Sequence, residues 1–389
     1  MSFCLLKINS LREVPCVIAK LVQEGKLGQV RRWSPLKDGK VWLIEEWERL
    51  CVLRGPGWFD WDERRCKLEV ELAQEAARLN VSPQVLGISA DYSYTIIEYI
   101  SGPELNPHQP LNLEEMVMQL RALHLGSSEG NIANCPSEWT SFSRFFRQLV
   151  KAKLLHTTKI LPILCDMEAL LVSLQAEFQN TCGGDKRVLC HLDLHCQNIM
   201  RNRKGELQFI DFGMAGFDHP YCDLAYVTMY HALGPLDQLR LLSLYSKVQV
   251  TPTLWSKFLM FRILPYYSKM LHPIIRATRE WTCERESVAD AMMRLRRSPQ
   301  SHDFSYYIER LYSGQKRSPM EWLEYADCAW RRVRQLEIEW RDAVAALASK
   351  SSSRSLLVKG EGVKPFPVQL ERCSTTELGK RTALNLMLP

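Results

Sequence analysis

Residues Cys190–Met200, CHLDLHCQNIM, bring two cysteines, two histidines, an aspartate and an asparagine into one short run. Three chemistries use such residues. Thiolate and imidazole bind zinc, but structural zinc sites place two or more residues between ligands, whereas Cys190–His191 and His195–Cys196 are adjacent pairs whose side chains diverge. A nucleophilic cysteine needs a base and an oxyanion hole, which distant residues can supply, yet it leaves Asp193 and Asn198 without a task. Phosphoryl transfer from ATP uses both of these residues. A carboxylate orients the attacking hydroxyl and takes its proton, and an amide oxygen five residues on reaches a magnesium ion.

Magnesium takes a carboxylate together with phosphate oxygens, so one amide is not enough. The chain supplies the carboxylate in LQFIDFG, where Asp211 ends an apolar strand thirteen residues after Asn198. His-x-Asp-x-x-x-x-Asn followed by a strand ending in Asp is the kinase pattern, and the pair is far more specific than either half.

His191-Leu192-Asp193-Leu194-His195 with Asn198, Ile210-Asp211-Phe212, and Asp223-Leu224-Ala225 together resemble the aminoglycoside phosphotransferase and choline kinase group of kinase-like enzymes. His195 stands where Ser/Thr protein kinases carry Lys, as in the small-molecule enzymes. LCVLRG resembles the strand bearing the phosphate-binding cation, here Arg54, and KLEVELAQEAARLNVSPQVL resembles the helix whose Glu braces it, here Glu69, with Glu71 as runner-up. TIIEYISG resembles the strand into the hinge, where backbone groups from Glu98 to Ile100 face the adenine edge. QLRALH, ending at His124, resembles a helix below the hinge. The resemblance spans roughly residues 25 to 235. It departs in two places. The loop SPLKDGKVW keeps only Gly39 of the glycines that normally cover phosphates, and Gly213 stands where choline kinases carry a substrate-side Glu.

The elements that must position these residues are legible. Residues 10–24 form an amphipathic pattern opened by Ser10 as N-cap, with Leu11, Val14, Val17, Ile18 and Leu21 on one face. Strand-like runs GQVRRWSPL, KVWLIEEW and RLCVLRG follow. A helix over DERRCKLEVELAQEAARLN, with Leu68, Leu72, Ala76 and Leu79 on one face, precedes the strands SPQVLGIS and YSYTIIEYI. Beyond Gly102 the pattern turns helical: LNLEEMVMQLRALHLG, SEWTSFSRFFRQLVKAKLL, LPILCDMEALLVSLQAEFQ, and helices again from about Asp223. A last helix carries Leu323, Ala326, Trp330, Val333, Leu336, Trp340, Val344 and Leu347 at three-and-four spacing. The catalytic run lies on a loop between short strands.

The resemblance, with this order of strands and then helices, implies an α+β, bilobal, protein-kinase-like fold. Residues 1–100 form a small antiparallel-sheet lobe with one helix, residues 101–347 a helical lobe with the catalytic loop and acceptor pocket, and 348–389 a flexible tail. A chain of 389 residues, 46% hydrophobic, can bury a core in each lobe. The net charge of +6 suits an anionic ligand and is too small to indicate nucleic acid. Thirteen cysteines without a CxxC pair indicate reduced thiols and a cytoplasmic protein. No apolar run reaches the roughly 20 residues of a membrane span, and nothing fixes an oligomeric state.

The function implied by the resemblance is ATP- or GTP-dependent, Mg²⁺-assisted transfer of the γ-phosphoryl group to a hydroxyl of a small molecule. Asp193 and His195 are the catalytic candidates. Arg54, Glu69, Gly39, Glu98 and Ile100 are the nucleotide-binding ones, and Asn198 and Asp211 the metal-holding ones. His191 and Asp223 are supports, Asp223 by capping the next helix and tying it to the loop. Cys190, Cys196 and Cys222 read as small buried residues. Trp255, Trp281, Trp322, Trp330 and Trp340 offer faces to a cation, which directs the acceptor toward an amino alcohol such as choline, ethanolamine or thiamine. An aminoglycoside is the alternative, and a protein kinase or a silent pseudokinase module are the rivals from other classes.

Overall fold

The computed structural model describes residues 14–37, 41–47, 49–55, 63–106, 108–126, 161–283, 286–298, 302–312 and 316–355. Gly39 and the expected helix over 137–155 lie outside the described residues.

The small lobe is a five-stranded antiparallel sheet in the order β1-β2-β3-β5-β4. Its strands are β1 (Val30–Lys37), β2 (Val41–Glu46), β3 (Leu50–Arg54), β4 (Val85–Ile88) and β5 (Thr95–Glu98). Alternation along β2 and β3 buries Trp42, Ile44, Cys51 and Leu53 on one face. Helix α1 (Val14–Gln23) packs Val17, Ile18 and Leu21 into that same cluster. Since Leu53 points into this core, the next residue, Arg54, points to the opposite face. Burying Leu53 completely stabilises the strand that carries Arg54 by roughly 1.5–3 kcal/mol.

Helix α2 (Glu63–Arg78) lies between β3 and β4 in the chain. It buries Leu72 and Ala76 in the core of the large lobe, with Leu68 and Leu79 half-buried beside them. The face expected from the sequence is therefore the face used, and it anchors Glu69 to the larger core.

The large lobe opens with α3 (Leu113–Gly126) and α4 (Leu161–Cys182). Two small antiparallel pairs follow. β6 (Val188–Cys190) pairs with β9 (Gly216–Asp218), and β7 (Ile199–Arg201) pairs with β8 (Leu207–Phe209). Helices α5 (Tyr221–Tyr230), α6 (Pro235–Ser246), α7 (Pro252–Glu280), α8 (Val288–Arg297), α9 (Phe304–Tyr312) and α10 (Pro319–Ser355) complete the order. α5 is buried along its whole length. α7 begins at Thr251, whose hydroxyl accepts the Leu254 amide at 3.2 Å, with Pro252 at the first helical position.

Leu323, Ala326, Trp330, Val333, Leu336 and Trp340 of α10 are buried as their spacing demands, but Val344 is exposed and Leu347 half-buried. The stripe outlasts the partner surface. The helix also runs to Ser355, so the first residues of the expected tail are helical. Among the described residues, no helix is long and apolar enough to cross a membrane.

Candidate active site

β6 ends at Cys190, and the loop after it carries His191, Asp193, His195 and Asn198. His191 is fully buried, and its Nε2 donates to the Ile210 carbonyl at 2.8 Å, while its ring packs on Phe212 at 4.8 Å. It therefore joins the loop to the residue preceding Asp211. Leu192 adopts φ +62°, a left-handed conformation that a branched side chain resists. Asp223, wholly buried on α5, holds it there. Its Oδ1 accepts the Leu192 amide at 2.7 Å and its Oδ2 the His191 amide at 2.8 Å. His124 of α3 adds Nε2 to the same Oδ2 at 3.1 Å and places Nδ1 2.8 Å from the Tyr245 hydroxyl. Asp223 does not cap its helix, whose N-cap is Pro220 without a side-chain bond. Both oxygens serve the loop instead.

Asp193 follows, with a side chain 22% exposed. The Asn198 amide donates to its carbonyl at 2.9 Å and lies 3.5 Å from Oδ2. Asn198 sits in a 3-10 turn, Cys196–Asn198, and spending its NH2 on Asp193 leaves Oδ1 as the lone-pair end. The Tyr230 hydroxyl donates to Asp193 Oδ1, and Lys269 Nζ of α7 stands 3.4 Å from that oxygen. His195 Nε2 is 3.7 Å from Oδ2. Burial works against ionising Asp193, but the charges of Lys269 and His195 and the Tyr230 hydrogen bond outweigh it and hold the carboxyl well below its ordinary range. Burial also pushes His195 down, against the pull of Asp193 and Asp211, so His195 lies in electrostatic reach of both carboxylates.

Across the cleft, Arg54 makes two ion pairs. One nitrogen donates to Glu69 and the other to Asp211 Oδ1 at 2.7 Å. Burial would lower its pKa, but the two carboxylates raise it further above the usual range. Glu71 instead pairs with Lys67 at 3.8 Å on the helix surface, which separates the two candidates on this helix. Asp211 has φ +66° and accepts the Gly213 amide at 3.3 Å. A Cβ at Gly213 would come 3.1 Å from Asp211 Oδ1 and 3.6 Å from Glu69 Oε2, a crowding that explains glycine here. Glu98 continues its strand, its amide bonded to the Gln84 carbonyl at 2.9 Å, and Ile100 is buried just beyond.

Asn198 and Asp211 offer an amide oxygen and a half-exposed carboxylate, a hard, all-oxygen donor set that fits magnesium. Among the described residues, two groups of side chains stand close enough together to hold a metal, and both are otherwise engaged. His124, Cys190 and Asp223 form the buried loop brace, and Cys182, Asp185 and His219 share their carboxylate with Lys257.

Contacts thus link Arg54, Glu69 and Asp211 in one chain and Asp193, Asn198 and His195 in another, with His195 in electrostatic reach of Asp211 and with His191 and Asp223 bracing the loop. Sequence reasoning missed Tyr230 and Lys269. Tyr230 ends the helix opened by the Asp223-Leu224-Ala225 signal and was within reach of it. Lys269 lies far downstream with no local signal, and only the packing of α7 delivers it.

Comparison with known proteins places this geometry. No curated protein matches the sequence. Among solved structures, the choline kinase LicA from Streptococcus pneumoniae is similar with a TM-score of 0.56 at 13% identity, covering 84% of this chain and 98% of that one. A choline/ethanolamine kinase family protein from Mesorhizobium loti gives 0.55 at 16% identity, covering 86% and 98%. An ethanolamine kinase from Plasmodium vivax gives 0.56 at 15%, covering 72% and 87%. At such identities the likeness is one of fold, the kinase-like fold expected from the sequence. The model of the phosphotransferase enzyme family matches residues 38–254, more than half of the chain, and the protein belongs to that family.

Proposed function

We propose that the protein transfers the γ-phosphoryl group of ATP to a hydroxyl of a small molecule, with Asp193 receiving the hydroxyl proton. The observation that carries this reading is the position of Asp193. It is ionised, hydrogen-bonded by Tyr230 and by Asn198, and set across from the Arg54, Glu69 and Asp211 chain.

In this reading Arg54, braced by Glu69, grips the phosphates, and the backbone from Glu98 to Ile100 meets the base of the nucleotide. Asn198 and Asp211 would hold magnesium, which would neutralise phosphate charge. Asp193 accepts the acceptor hydroxyl as a hydrogen-bond donor and aims its oxygen at the γ-phosphorus. The new O–P bond forms as the bond from γ-phosphorus to the bridging oxygen breaks, ADP leaves, and the proton passes to Asp193. A carboxylate held so far below its ordinary pKa is a weak base. Its contribution is orientation, which suits a loose transition state where the proton moves late. GTP would serve the same residues.

The test is turnover of Mg·ATP by the full chain against a panel of small hydroxyl compounds, beside Asp193→Asn. The variant should lose roughly 10²- to 10⁴-fold in turnover while still binding nucleotide. Equal activity of variant and wild type overturns the assignment of Asp193. Nucleotide binding without transfer to any acceptor points to a binding module instead.

A further inference from the structure

The tryptophans that would receive a cationic acceptor are largely taken by the chain's own arginines. Arg262 lies over Trp255 at 6.0 Å, Arg296 and Arg334 over Trp330 at 5.5 and 5.7 Å, and Arg341 over Trp340 at 5.8 Å. Trp322 has two guanidiniums, Arg276 and Arg317, each 4.6 Å from its ring centroid. Trp281 spends its indole N–H on the Glu286 carbonyl at 2.8 Å.

The ground beside Asp193 is basic as well. Lys269, His272 and Arg276 recur at three-and-four spacing on α7 and so share a face. Lys269 touches Asp193, and His272 feels Lys269, Arg276 and Asp193. Burial and those two cations push His272 down to about 4. From α10, Tyr325 lies in electrostatic reach of Asp193 and beneath Arg317, whose guanidinium is 5.2 Å from its ring centroid. Arg276 has Glu280 at 3.4 Å. Arg317 has no carboxylate within ion-pair distance among the described residues, and its one hydrogen bond there runs from Nη2 to the Tyr307 carbonyl at 2.7 Å. It is only 5% exposed, and its Nη1, like the buried Tyr325 hydroxyl, has no hydrogen-bond partner among the described residues. Tyr325 lies in reach of Asp193 and Arg317 packs over its ring, and two such buried polar groups left unsatisfied imply a missing partner. A guanidinium N–H requires that partner to be an acceptor.

We propose that the acceptor carries an acid group, a carboxylate or a phosphate, a few bonds from its reacting hydroxyl, and that Lys269, Arg276 and Arg317 bind that group. The inference rests on the phosphotransferase reading and revises the amino alcohol expected from the sequence. A hydroxyl bonded to Asp193 stands beside the Lys269 ammonium, so a quaternary ammonium two carbons away meets like charge, and an acid meets opposite charge. Four of the five tryptophans that could have compensated a cation, Trp255, Trp322, Trp330 and Trp340, already hold arginines.

The test is the charge preference of the full chain with Mg·ATP, read as kcat/KM for glycerate and glycerol 3-phosphate against glycerol, ethanolamine and choline. At least one acid should exceed the neutral and cationic compounds by about tenfold or more, the factor a single well-placed charge supplies. Arg276→Gln should raise KM for the acid roughly fivefold or more, with kcat within about twofold, as expected for a group that binds equally in ground and transition states. Arg317→Lys should retain the preference and Arg317→Gln lose it. The Lys variant guards against misreading a folding defect. Ethanolamine or choline outperforming both acids overturns the inference and leaves the kinase reading intact. Calorimetric titration of the Mg·ADP-saturated chain with the two acids separates the claims. Acid binding without transfer to any acceptor supports an anion site at Lys269, Arg276 and Arg317 but overturns both the kinase reading and the acid as its acceptor, whereas no acid binding refutes the inference whatever else turns over.

Discussion

Asp223→Asn tests the positioning of the catalytic loop directly. Asp223 is fully buried, and its two oxygens take the adjacent His191 and Leu192 amides at 2.8 and 2.7 Å. Each bond to a charged acceptor contributes about 1.5–3 kcal/mol. Holding Leu192 at φ +62° opposes them by roughly 1–2 kcal/mol. Removing both bonds with Ala would therefore cost a net of roughly 1–5 kcal/mol, a sizeable part of the roughly 5–15 kcal/mol of a typical domain. Asn is the sharper probe, because it keeps one acceptor and turns an NH2 toward either a backbone amide or His124. The expected loss is about 2–3 kcal/mol, from one charge-assisted bond and one unsatisfied buried donor. Once Leu192 relaxes, Asp193 moves with it, and a displacement near 1 Å costs on the order of 10²-fold in kcat. KM for ATP should change little, since Arg54 and the hinge are untouched. Urea unfolding measures the first effect and steady-state ADP release the second. A stability loss under about 1 kcal/mol, or kcat within about twofold of wild type, refutes the claim that Asp223 holds the loop.

Other perturbations follow from the same contacts. Gly213→Ala places a methyl 3.1 Å from Asp211 Oδ1 and should raise the Mg²⁺ concentration for half-maximal rate and lower kcat roughly tenfold; an unchanged Mg²⁺ titration speaks against Asp211 as a metal holder. Arg54→Met leaves Glu69 without its partner and should raise KM for ATP by about tenfold or more, as read from initial rates. His219, 5% exposed and stacked on Phe261 at 4.5 Å, is pushed down to about 4, chiefly by burial and then by the Lys257 charge. The unfolded chain binds this proton below about pH 6.5 while the folded one does not, so stability is full above that pH and is lost progressively down to about pH 4. The loss from His219 is about 3 kcal/mol, and denaturant titrations at pH 7 and pH 5 should show most of it.

The chain order of chemistry was legible because it is local. Asp193 and Asn198 share one loop, Asp211 ends the next hairpin, and the apolar runs around them have the periods of short strands. The resemblance located Arg54 and Glu69, and the structure joins them by an ion pair, with Arg54 at the end of a strand whose inward residues are Cys51 and Leu53. Local pattern reading failed where a pattern outlasts its surroundings, as at Val344 and Leu347, because periodicity describes a helix and says nothing of where its partner stops. It also misjudged Asp223, since an acidic residue in the first turn of a helix has the same sequence signature whether it caps that helix or reaches back to a loop.

The motifs in the sequence, through the family they resemble, were enough to expect the kinase-like fold and to single out Asp193, Asn198 and Asp211 as candidates, because those motifs join neighbours a few residues apart. Only the tertiary structure decided what stands beside Asp193. Lys269 and Tyr230 arrive on helices set by long-range packing, and Arg276 and Arg317 cover Trp322 from different segments. Four of the five tryptophans that look in sequence like seats for a cation already hold arginines in the fold. Charge at an acceptor site is a sum over space, and no local pattern carries it.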